Sequence, residues 1–279
     1  MREQAHTLPS GTLTAQRRRV RTGSGGFGRH FLVAALLPAI ILVVWQWAGS
    51  TGRVSPLLLP SPLAIGEAFV RLSLSGELFI QLWHSLVRAS TGVFYGSLAA
   101  LLLGGIVGLS RTVRKLVDPS LQLLRLTPSL ATAPIIILWF GFGETSKIVI
   151  IGFGAFFPLY MSMVQSILGV DSKLTEVTRV LAFGRGKQLT RLVLPAALPG
   201  ILSGLRLSIA YGWLGLVVAE LLGSQSGIGY LMSHAQTNSQ PEVIFVGVII
   251  FAVMGKLIDL FVVTIERRLL RWRDSFTGN

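Results

Sequence analysis

Cysteine is absent from the 279 residues, so disulfides, thiolate nucleophiles and cysteine metal sites are excluded. Charge is scarce. Asp, Glu, Lys and Arg together make up 13%, where a soluble domain carries about 25%. Acidic residues are scarcer still, with 12 Asp and Glu against 25 Lys and Arg. The four histidines, His6, His30, His84 and His234, show no metal-ligand spacing, and no serine or aspartate sits in a nucleophile motif. The phosphate-cradling loop G-x-x-x-x-G-K-[ST] is missing too. Its nearest string, Gly184-Arg185-Gly186-Lys187-Gln188, has Leu181 in place of the first glycine and ends in glutamine. These absences exclude an ordinary wet surface and ATP hydrolysis by a phosphate loop. No enzyme site is visible, and no cofactor is expected on this chain.

What is present is apolar: 51% of residues are hydrophobic and mean hydropathy is +0.66. Runs at about 31–48, 84–109, 121–140, 146–169, 196–222 and 243–265 each approach the roughly 20 residues that cross about 30 Å of hydrocarbon. The expectation is an all-α polytopic membrane protein with six transmembrane helices. The third run is interrupted by Arg125, Pro128 and Pro134. The first run rivals a signal peptide, but it ends in Trp45 and Trp47 and lacks a small-x-small cleavage pattern, which favours an uncleaved helix. Residues 1–30 read as a flexible basic tail, 31–268 as the transmembrane domain and 269–279 as a C-terminal tail.

Lys and Arg set the expected orientation. Most of the 25 fall in the N-terminal tail, in loop 110–118, in loop 170–195 and after residue 266. A six-span path puts all four regions on one side. The positive-inside rule makes that side cytoplasmic and places both termini there. Trp45, Trp47, Trp83 and Trp139 then fall at outer span ends and Trp272 at an inner end, as an interfacial belt requires. The net charge of +13 is thus a topology and lipid-contact signal, and nucleic acid is not an expected partner.

Small residues recur every fourth position at Gly92, Gly96, Ala100, Gly104 and Gly108, and again at Gly200, Gly204, Ser208 and Gly212. Such ridges let helix backbones approach closely in lipid; a pore lining is the competing reading. Charges within spans are few: Arg125, Arg206, Glu220, Lys256 and Asp259. Such residues face the bundle interior. Lys256 and Asp259 are three apart and can pair. Arg206 and Glu220 lie about 21 Å apart along one helix and cannot. Arg206, Trp213 and Glu220 are therefore candidate translocation-pathway residues, with a helix–helix partner for Arg206 as the alternative.

Residues 174–200, LTEVTRVLAFGRGKQLTRLVLPAALPG, form a basic, glycine-bearing segment between two apolar runs. A short helix, a turn at FGRGK and a second helical piece are expected, with Pro195 suited to a helix's first turn. This segment resembles the coupling motif of ABC importer permeases: Glu-Ala-Ala, three residues, Gly, nine residues, Ile-x-Leu-Pro. Glu176 matches the Glu, and Leu192-Val193-Leu194-Pro195 match the final step. Val177 and Thr178 replace the two alanines, and Ala182 stands where the glycine is expected. Further matches run through Leu59-Pro60-Ser61-Pro62, LWFGFG at 138–143, Gly204-Leu205-Arg206, Val218-Ala219-Glu220 and Gly227-Ile228-Gly229-Tyr230-Leu231. Together they resemble the nitrate/sulfonate/taurine branch. Ser75-Gly76-Glu77-Leu78 and Gly255-Lys256-Leu257-Ile258-Asp259 look most like aliphatic sulfonate permeases.

The resemblance implies a type I ABC importer permease fold with a coupling loop at about 171–194. It implies a homodimer, two ATP-binding subunits that hold ATP and Mg²⁺, and a periplasmic or lipid-tethered solute-binding protein. Coupling to the ATPase would fall on Glu176, Val177, Thr178, Ala182, Phe183, Gly184, Leu194 and Pro195. The substrate would be an aliphatic sulfonate, with taurine or nitrate as alternatives. An ion-coupled secondary transporter, using Glu220 or Asp259, and a purely structural membrane protein remain the competing classes.

Overall fold

The computed structural model describes residues 26–51 and 54–270, with side chains from residue 36 onward except at 129, 130, 175 and 179. Most of the two expected tails lies outside the described residues. The described chain is helical, without strands: α1 (Gly26–Ser50), α2 (Pro62–Leu74), α3 (Glu77–Leu109), α4 (Arg111–Arg125), α5 (Ser129–Phe140), α6 (Glu144–Leu168), α7 (Ser172–Val180), α8 (Arg185–Gln188), α9 (Leu194–Leu221), α10 (Ile228–Thr237) and α11 (Pro241–Leu269).

Among the described residues, four helical stretches are long and apolar enough to cross a membrane: Glu77–Leu109, Glu144–Leu168, Arg185–Leu221 and Pro241–Leu269. Leu36–Ser50 and Ala131–Phe140 are shorter apolar helices. Leucines, valines and phenylalanines that a soluble protein would bury stand exposed along all of them, the surface expected of a lipid-facing bundle.

The core is a three-helix layer with α6 at its centre. A Cβ on Gly92 would meet Ile151 at 2.6 Å, and one on Gly108 would meet Ile167 at 2.7 Å. Between them, Gly96 lies against the backbone of Gly152, and Gly104 faces Met163. Rising numbers on α3 meet rising numbers on α6, so these helices run parallel. On the other flank Gly200 meets Ser166, Gly204 meets Ser162, and Gly212 meets Ala155; α9 is antiparallel to α6. Both small-residue ridges thus close on the same helix. Ser97 and Ser208 join the flanks at 3.0 Å, and Ser208 donates to the Ala155 carbonyl at 2.6 Å. This directionality brings the α3–α4 turn and residues 169–193 to one end of the bundle, here termed the basic end.

The expected single span over 121–140 is instead two helices. Ser110 caps α4, accepting from the Val113 amide at 3.4 Å, and α4 turns back alongside α3. Its Val113, Val117 and Leu121 pack on Ala100, Val107, Leu159, Tyr160 and Val164, and Tyr160 donates to Asp118 at 2.9 Å. The helix stops at Arg125 because Pro128 lacks an N–H and disfavours helical backbone at Thr127. Leu126 and Thr127 close the end with bonds to the carbonyls of Leu123 and Leu124, both 3.1 Å. After the break α5 adds 12 residues, about 18 Å, too few to cross alone.

Tight packing at Gly96 has a testable consequence. Gly96→Val should destabilise the protein by about 1–3 kcal/mol, as overpacking does, and lower its melting temperature in detergent. Gly105→Ala, whose new Cβ would meet only Met163 at 3.5 Å, should leave melting unchanged. Equal melting of the two variants would show that the α3–α6 contact is looser than described.

Candidate functional site

At the basic end, α7 is a nine-residue helix; its Leu174 and Val177, with Leu181 just past its end, recur at three- and four-residue spacing and stand exposed. Residues so spaced share one helix face. Glu176 is exposed as well, while Thr178 is buried at 6%. The helix ends in a left-handed turn. The Phe183 amide donates to the Thr178 carbonyl at 2.9 Å, and Ala182 has φ 53°. This is the helix-ending position that glycine ordinarily fills, because a Cβ there is strained. The glycine expected from the motif is thus a backbone requirement, and Ala182 meets it under strain. Lys187 sits 4.1 Å above the half-buried Phe183 ring, and Gly184 is the extended residue that starts α8.

Beyond that turn the chain does not restart a helix at Pro195, as its sequence suggests. One helical stretch runs from Arg185 to Leu221. Residues Leu189–Val193 form a π-turn in which the Leu194 amide reaches the Leu189 carbonyl. Pro195 has no amide to give, and the wider turn just before it absorbs the missing bond. Leu194 and Pro195 are both exposed here. The α7 knob is therefore joined, through one turn, to the helix that packs along α6.

At the opposite end a buried ion cluster ties four helices together. Arg88 of α3, 4% exposed, forms a bidentate pair with Glu144 at 2.7 and 2.8 Å and a second pair with Glu220 of α9. Lys147 reaches Glu144 at 3.0 Å. Glu220, 1% exposed, also accepts from Ser85 at 2.8 and 2.9 Å and from the Gly229 amide at 2.8 Å. Arg88 donates further to the Ser226 carbonyl at 3.1 Å and hydroxyl at 3.0 Å. Two cations and two anions balance; Glu144 is the exposed member, at 59%, while Arg88 and Glu220 are buried and partnered, as a buried pair must be to offset its desolvation. The cluster also explains the glycines at 227 and 229. Gly227 has φ 104°, and a Cβ at either position would strike Glu220.

The three tentative pathway residues do not converge. Glu220 is locked in the far cluster. Trp213 is buried, donating to the Phe251 carbonyl at 3.2 Å and packing edge-on against that ring. Arg206 binds Asp259 of α11 at 2.8 Å, closer than Lys256 at 3.7 Å. Arg206, Trp213 and Asp259 share the wall of a groove of about 260 Å³ between α9 and α11. Sequence reasoning missed Arg88, Ser85 and Glu144. The available signal was an arginine and a glutamate of opposite sign near the same end of two spans.

Two outcomes follow from this geometry. Ala182→Gly should slow hydrogen exchange of the Phe183 amide, since relief of left-handed strain is worth about 1 kcal/mol; an unchanged rate would mean Ala182 is unstrained. Arg88→Met should cost about 3–5 kcal/mol by stranding a buried carboxylate. Pairing it with Glu220→Gln should restore part of that in a thermal-melt double-mutant cycle, and purely additive losses would contradict the pairing.

This arrangement has counterparts among known proteins. A family model described as "Binding-protein-dependent transport system inner membrane component" matches residues 92–271. The putative aliphatic sulfonates transport permease protein SsuC of Bacillus subtilis (strain 168) is 48% identical over 276 residues, covering 99% of each chain. The taurine transport system permease protein TauC of Escherichia coli (strain K12) is 35% identical over 242 residues, 85% of this chain and 88% of that one. A crystal structure of an amino acid ABC transporter with histidines superposes with TM-score 0.61 over 74% of this chain and 98% of the other, at 16% identity. That likeness is one of fold, the all-α fold of type I importer permeases. With the α3–α6–α9 layer and most of the chain accounted for, this protein belongs to the binding-protein-dependent transport inner-membrane components, the permease subunits of ABC importers.

Proposed function

We propose that this permease subunit carries an aliphatic sulfonate across the inner membrane, and that the α7 segment is where ATP-binding subunits grip it. As the permease component of an importer, the chain is not itself the ATPase; hydrolysis belongs to a partner, and ATP-binding and substrate-binding partners are general to such systems. The assembly proposed here contains a second copy of this chain, two ATP-binding subunits holding ATP and Mg²⁺ at the basic end, and a periplasmic or lipid-tethered binding protein opposite. Both termini are then cytoplasmic. The six spans are α1, α3, α4 with α5, α6, the Arg185–Leu221 helix and α11.

The observation that carries the coupling role is the exposed apolar face formed by Leu174, Val177 and Leu181, on a short helix joined by one turn to the helix that runs into α9. A groove on the ATPase would receive Leu174, Val177 and Leu181, and Phe183, Gly184, Leu194 and Pro195 would frame the knob. ATP binding favours the closed ATPase pair over the open one, and moving α7 then moves a helix locked along α6. The sulfonate identity is supported by full-length similarity to SsuC; taurine and nitrate remain the substrate alternatives. An ion-coupled carrier would need a carboxylate free to take its ion, whereas Glu220 and Asp259 both face arginines.

Reconstituted vesicles test this reading. ATP should drive uptake of an alkanesulfonate only when the ATP-binding subunits are present, and Glu176→Lys should lower that uptake more than tenfold while the permease still inserts. Uptake sustained by an ion gradient alone would refute the ABC mechanism. Normal ATPase copurification and hydrolysis with Glu176→Lys would refute the coupling role.

A further inference from the structure

The break between α4 and α5 opens onto a cavity of about 580 Å³ walled by α6 and α9. Its lining on α6 runs from Phe153 to Ser162, the middle of a 25-residue helix about 37 Å long. It therefore sits at mid-height of the bundle, open along its α4 side, away from both α7 and the Arg88 cluster. Irregular backbone at such depth is tolerated where it lines a cavity. The wall is mostly apolar, with Phe157, Met161 and Leu207, and Arg125, Thr127, Ser162 and Tyr211 are the polar residues among its lining.

Arg125 is the unusual member. In the other apolar helices, cations meet carboxylates: Arg88 with Glu144 and Glu220, Lys147 with Glu144, Arg206 and Lys256 with Asp259. Among the described residues Arg125 has no carboxylate partner, and none of the residues lining the cavity is acidic. Arg125 is exposed at the mouth of this cavity, and a cation at the mid-height of a membrane bundle with no carboxylate beside it marks a ligand pathway. Its planar fork suits an oxyanion head, and the cavity is of a size typical of small-molecule sites.

We infer that this cavity is a transmembrane subsite for an organic monoanion with an apolar tail, with Arg125 taking the oxyanion head and hydroxyls from Thr127, Ser162 and Tyr211 available beside it. Because no acidic group is there to meet an ammonium, the subsite discriminates against a zwitterion of similar length. The inference rests on the transport reading above for the identity of its ligand.

Two measurements separate the two claims. The first is equilibrium binding of 1-hexanesulfonate and taurine to the detergent-solubilised permease complex, without binding protein. The expected result is hexanesulfonate binding at least tenfold tighter than taurine, weakened at least tenfold by Arg125→Met and partly recovered by Arg125→Lys. Tyr211→Phe, which deletes only a hydroxyl, should weaken it several-fold, and it serves if Arg125→Met fails to assemble. Binding indifferent to both substitutions, or equal for the two probes, overturns the subsite. The second is ATP-driven hexanesulfonate uptake in vesicles. Absent uptake by the wild-type complex that still binds hexanesulfonate through Arg125 overturns the transport reading and leaves the subsite standing.

Discussion

Backbone contact between α3 and α6 at Gly96 and Gly152 is the constraint on which the rest of the structure depends. In lipid, helices gain little from burying apolar surface against each other, because the solvent is equally apolar. Close van der Waals approach and interhelical hydrogen bonds must supply the cohesion. The two ridges on α3 and α9 do this from opposite flanks of α6, and Ser97, Ser208 and the Ala155 carbonyl bond across the same layer. Everything else is hung on that layer: α4 returns along its basic half, α10 is tied to its far end, and the α7 knob extends from its third helix.

The ion cluster and the knob are opposite solutions at opposite ends. At the far end, charge is neutralised by design: Arg88 satisfies two carboxylates, and Glu220 holds the first turn of α10 through the Gly229 amide. At the basic end, apolar side chains are left uncovered on a polar segment. The first arrangement makes an end of the bundle self-sufficient. The second leaves apolar side chains uncovered at the other end.

Much of this was legible in the residues. The four long apolar stretches are where their hydropathy puts them, because about 20 apolar residues can hardly do anything but span. Gly92 through Gly108 and Gly200 through Gly212 read as packing ridges, and they are. What spacing alone could not reveal was that both ridges use one partner, since that depends on which helices are neighbours. The Arg88–Glu220 pair joins residues 132 apart and leaves no local trace. The third span misled because Pro128 does more than interrupt it: the proline splits it at depth, and α4 is too polar to score as a span. Ala182 shows the converse. It stands where the motif has glycine, yet the backbone there still adopts the left-handed turn.

A small-residue ridge lies against each of two faces of α6. Glycine is already the smallest residue, so the helices facing Ser162 and Ser166 have nothing left to give up if those serines grow. Compensation by a shrinking neighbour, the usual route by which membrane helices exchange packing over evolutionary time, is closed at these positions. A larger residue at Ser162 or Ser166 must therefore be met by a shift of α9 itself. The diversity of the family's substrates must be written elsewhere, on the walls that this layer leaves open.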